Sequence, residues 1–63
     1  MEFEIGDRVL LQTEGMRYYD EPPLPGTVVE CDEYLGREVY RIDFDDPDFE
    51  TNVKWIVTAL IKE

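Results

Sequence analysis

The chain contains no histidine and no serine, and it has a single cysteine, Cys31. Without histidine and serine there is no Ser/His triad, no Cys/His dyad and no histidine-ligated metal site. One cysteine forms no internal disulfide and builds no zinc site. A lone thiol suits a reducing compartment, so a cytoplasmic location is expected. Gly6, Gly15, Gly26 and Gly36 stand apart from one another, which excludes a glycine-rich phosphate loop. The remaining catalytic route is a pair of carboxylates in a cleft, and a domain this small rarely holds one. A non-enzyme without cofactor or metal is therefore expected. Long apolar runs are also missing. Ile56-Val57 and Ala59-Leu60-Ile61 fall far short of a membrane span. The acidic start, Met1-Glu2-Phe3-Glu4, lacks the basic and apolar regions of a signal peptide.

Basic residues are scarce as well. Six lysines and arginines face 16 aspartates and glutamates, giving a net charge of −10 on 63 residues. Such a field opposes phosphate backbones and anionic membranes, so neither direct nucleic-acid binding nor membrane binding is expected. It favours a basic protein surface or a cationic peptide as partner. It also keeps a small protein soluble, which is the bland explanation of the same charge. The length makes one domain, residues 1–63, with a small core. A monomer is the favoured state.

What is present reads as an all-β chain. Tyr40, Ile42 and Phe44 alternate with Arg41 and Asp43, the period of a half-buried strand. Turn signals recur at short intervals, as in a β meander. Strands are expected at 8–12, 27–32, 38–44, 51–55 and 59–61, with a short 3₁₀ turn at 56–58. A long loop covers 13–25, because Pro22, Pro23 and Pro25 disfavour a central strand. A hairpin turn covers 33–37, with Gly36 at positive φ. The expected core is Val9, Leu11, Val28 or Val29, Tyr40, Ile42, Phe44, Val53, Ile56 and Leu60. The register of the second strand stays open, since Val28 and Val29 are both apolar.

Gly6-Asp7-Arg8-Val9, then Pro25-Gly26-Thr27-Val28-Val29, then Tyr40-Arg41-Ile42-Asp43-Phe44-Asp45-Asp46, then Val53 and Leu60, resembles in order the SH3-like barrel superfamily, in its Tudor and KOW flavour. The resemblance covers nearly the whole chain. It implies a small five-stranded closed barrel with the 3₁₀ turn before the last strand. That fold hosts many unrelated roles. The Tudor flavour implies an aromatic cage for methylated lysine or arginine. The matching positions are Tyr18 or Tyr19, Phe44 and Phe49, with Asp45, Asp46 or Asp48 as carboxylate. The chain departs from that pattern at Asp46-Pro47-Asp48, where the family carries an aromatic-glycine turn.

The third strand runs into an acidic loop, Asp45 to Glu50. Asp45, Asp46, Asp48 and Glu50 supply charge there, and Phe49 an aromatic anchor. Tyr18 and Tyr19 are either further anchors or a cover for the open barrel end. Trp55 either lines a ligand groove or fills the core. The acidic loop lacks an EF-hand pattern, because Pro47 occupies the place of a glycine turn. Cys31 reads as a structural thiol. The leading expectation is a non-catalytic docking module whose acidic, aromatic face meets a basic surface. A nucleic-acid-mimic inhibitor of the kind some viruses encode, an accessory subunit of a larger complex, and a methyl-cation reader are the alternatives.

Overall fold

A computed structural model describes residues 2–12 and 23–63. These form five antiparallel strands in one sheet: β1 (Arg8–Leu11), β2 (Leu24–Tyr34), β3 (Arg37–Phe44), β4 (Lys54–Ile56) and β5 (Leu60–Lys62). A 3₁₀ turn, η1 (Val57–Ala59), precedes β5. The order across the sheet is β4-β3-β2-β1-β5. β4 and β5 thus stand at its two ends, joined through η1 and not by a ladder. No helix among the described residues is long and apolar enough to cross a membrane.

β2 organises the sheet. Its first residues pair with β1, from Arg8↔Thr27 to Leu11↔Leu24. From Gly26 onward it pairs with β3, ending at Tyr34↔Arg37. Pro25 lies inside this strand, contrary to the expected loop. Its carbonyl accepts the amide of Asp45 at 3.0 Å. The proline nitrogen faces the same side, where β3 has just ended, so the missing N–H removes no ladder bond. β2 accordingly begins at Leu24, inside the span expected to be loop.

The register of β2 is settled by a bulge. The ladder steps from Val28↔Ile42 to Glu30↔Arg41, leaving Val29 as the extra residue. Val28 is fully buried and Val29 only half-buried. Beyond the bulge Cys31 pairs with the buried Tyr40, and its thiol lies 3.8 Å from the carbonyl of Phe3. Partial burial raises the Cys31 pKa, with the Glu38 carboxylate adding to the effect.

The core comprises Phe3, Val9, Leu11, Leu24, Val28, Tyr40, Ile42, Phe44 and Leu60. Two expected members are absent. Val53 is 42% exposed, because β4 begins only at Lys54 and Val53 belongs to the preceding loop. Ile56 is half-buried on the end strand β4. The 3₁₀ turn and β5 also begin one residue later than expected. Phe3 and Leu24 take the vacated share of the core. Phe3 packs edge-on against Tyr40, with ring centroids 5.3 Å apart. The Tyr40 hydroxyl accepts the Phe3 amide at 3.2 Å and donates to Glu38 at 3.0 Å. Burial lifts the phenol pKa above its ordinary value.

Candidate functional site: an aromatic and acidic cleft

The loop after β3 is shaped by its own hydrogen bonds. The carboxylate of Asp46 accepts the amide of Asp48 at 2.9 Å, and its carbonyl accepts the amide of Phe49 at 3.2 Å. This turn folds Phe49 back over the end of the strand it follows. Its ring meets Phe44 at a centroid distance of 5.9 Å and an interplanar angle of 56°. Trp55, from the middle of β4, meets Phe44 from another side at 6.4 Å and 84°. β3 and β4 bring these rings together by pairing Tyr40 with Trp55.

The result is a cleft of about 490 Å³ lined by Phe44, Asp48, Phe49, Glu50, Val53 and Trp55. Phe44 is buried at 6% exposure and forms the floor; Phe49 and Trp55 are half-buried walls. Two carboxylates stand at the opening. Trp55 Nε1 is buried and has no hydrogen-bond partner among the described residues. The rings pack edge-on and tilted against one another, at separations ordinary for aromatic contacts. An aromatic wall beside a carboxylate attracts a cation both through the ring quadrupole and through charge.

Among the described residues, some acids are tied to cations and those of the cleft are not. Asp45 is held by Arg8, whose guanidinium donates through two nitrogens, one bond measuring 2.8 Å. This fork-on-fork contact holds the Asp45 pKa below the usual carboxylate range and raises that of Arg8. Arg8 also reaches Glu63 at 3.4 Å. On the sheet, Lys54 bridges Glu30 at 2.9 Å and Asp32 at 2.7 Å, and Arg41 approaches Glu30 at 3.5 Å. Hydrogen bonds from Lys54 hold both carboxylates low, and the Glu33 amide contributes at Asp32. By contrast, Asp46, Asp48 and Glu50 take part in no ion pair among the described residues. Arg8, Arg41 and Lys54 therefore pair with acids elsewhere, and the carboxylates of Asp48 and Glu50 at the cleft keep their charge without an ion pair among the described residues.

Of the residues singled out from the sequence, the structure brings Asp48, Phe49 and Glu50 to one cleft. Asp46 shapes the loop beside it, and Asp45 is turned to Arg8. Tyr18 and Tyr19 lie outside the described residues. Phe44 is a core residue, as expected, and also lines the cleft. Val53, an expected core residue, is instead exposed and lines the cleft. The Arg8–Asp45 pair joins residues 37 positions apart, and no local pattern announces it. Among the described residues no group of three or more acids and cysteine is placed to hold a metal ion. No family model, curated protein or solved structure matches the chain.

Proposed function

We propose that this chain is a non-catalytic protein-binding module, built as an SH3-like barrel, that docks on a basic surface of a larger protein. The observation that carries the reading is the cleft itself. Phe44, Phe49 and Trp55 surround a space bordered by Asp48 and Glu50, two carboxylates without ion pairs among the described residues. A lysine or arginine side chain of the partner enters this space. The aromatic walls supply affinity, and the wider charge of −10 steers the encounter. The lone Cys31 fits a reducing, intracellular setting.

The test is a titration of Trp55 fluorescence with an arginine- and lysine-rich peptide, at two salt concentrations. Binding is expected to weaken as salt rises, because exposed charges are screened beyond about 8–10 Å at physiological ionic strength. Phe49→Ala is expected to weaken binding at least tenfold, and Asp48→Asn with Glu50→Gln to flatten the salt dependence. Equal affinity of the Phe49→Ala variant would remove the cleft from the interface. The aromatic lining beside two carboxylates also supports a second reading, in which the cation is a methylated lysine or arginine. Tighter binding of a trimethyl-lysine peptide than of its unmodified form would select it.

A further inference from the structure

The β2–β3 hairpin closes on a two-residue turn, Leu35-Gly36, directly after the pair Tyr34↔Arg37. Both turn residues have positive φ, 52° at Leu35 and 76° at Gly36. This is the left-handed geometry of the tight hairpin turns, which favour Asn, Asp or Gly at the first position. A leucine there sets its Cβ against the following carbonyl. No contact among the described residues offsets that strain. Leu35 is 84% exposed, and Tyr34 beside it is 67% exposed. The inward side of the hairpin ends at Cys31 and Tyr40, so the tip projects beyond the core. Strain held at an exposed apolar residue points to a use outside the monomer's own packing.

Next to this tip lies a second cleft, about 420 Å³, lined by Gly36, Arg37, Glu38, Ile56, Val57 and Thr58. It opens where the β3–β4 ladder ends at Val39↔Ile56. We propose that this face pairs two copies of the chain: Leu35 of each copy seats in the cleft of the other. A two-fold interface must be complementary to itself, and this patch carries knob and socket side by side. Ile56 and Val57 give the socket an apolar lining. Arg37 on its rim meets Glu33, which flanks the entering knob. The remaining charge opposes the pairing, since each copy carries −10. Salt therefore strengthens this contact, the opposite of its effect on docking to a basic partner. The contact is small, so the association is weak and reversible.

Sedimentation of the full chain tests this, at about 50 µM to 1 mM protein and in about 0.1 and 0.5 M salt. The wild type is expected to form a reversible dimer, with more dimer at the higher salt. Leu35→Asn creates the favoured Asn-Gly turn. It is expected to melt at a higher temperature while associating at least tenfold more weakly. Thr58→Arg, an exposed change that fills the socket, is expected to remain monomeric. A wild type that stays monomeric throughout, a Leu35→Asn variant that dimerises equally well, or a dimer that dissociates as salt rises would each overturn the proposal. None of these variants touches the aromatic and acidic cleft, and no basic probe is present. Failure here is thus separable from failure of the docking function.

Discussion

Gly26→Ala probes the tightest point of the sheet. Gly26 sits in β2 opposite both Val9 of β1 and Phe44 of β3. A Cβ placed there would stand 2.5 Å from Ile42 Cγ2, 2.9 Å from the Asp43 carbonyl oxygen and 3.1 Å from Phe44 Cα. Two of those atoms are backbone, and the third belongs to a branched side chain with no exposure. The methyl group can therefore be accommodated only by moving β3 or by forcing Ile42 off its rotamer. Overpacking of this kind costs about 1–3 kcal/mol. Stiffening the unfolded chain offsets about 0.4–1 kcal/mol of that. Three contacts at these distances place the cost near the top of its range, leaving a net loss of about 2 kcal/mol. A domain of this length is stable by only about 3–9 kcal/mol. The melting temperature should then fall by about 8–16 °C, at about 4–8 °C per kcal/mol. The assay is thermal and urea unfolding, followed by circular dichroism and by Trp55 fluorescence, with the urea slope unchanged. A variant that melts within about 2 °C of wild type, or above it, would refute the packing argument.

Two further predictions concern polar ties. Arg8→Gln removes the two-nitrogen grip on Asp45, whose pKa lies below the ordinary carboxylate value. A lowered folded-state pKa stabilises above the unfolded value of about 3.9 and ceases to do so as pH falls through the folded value. The gap in melting temperature between wild type and variant should thus be open at pH 7 and close toward about pH 2; a gap that widens in acid would contradict the assignment. Tyr40→Phe leaves the buried Phe3 amide without its acceptor. It should cost about 1–3 kcal/mol in urea unfolding, and a loss below about 0.5 kcal/mol would show the Phe3 latch to be dispensable.

The strands legible in the sequence were those with a one-sided apolar period. Tyr40, Ile42 and Phe44 are all buried at 6% exposure or less, as their alternation requires. Gly36 takes positive φ, as the turn chemistry implied. Leu35 was not legible, because leucine carries no preference for its conformation there. Val53 misled because β-branching marks a residue fit for a strand without saying whether a neighbour will cover it. Phe3 hid in a short acidic segment, and its burial depends on the distant ring and hydroxyl of Tyr40. The acidic loop was visible as a cluster of charge. Its division into Asp45, tied to Arg8, and Asp48 and Glu50, facing the cleft, depends on long-range register. Composition and spacing carry none of that information.

The bulge at Val29 gives the chain an unusual tolerance. The ladder needs one fewer residue between Val28 and Cys31 than the chain supplies. Loss of either Val29 or Glu30 would leave Val28 and Cys31 facing inward, with β1 before them and the hairpin after them still in phase. The same deletion at Thr27 would put the β1 pairing out of step with that of β3. A single-residue deletion at the bulge is thus a change of curvature and not of connectivity. Removing one residue there would straighten the longest strand and re-aim the hairpin tip while the core pairs on either side keep their partners.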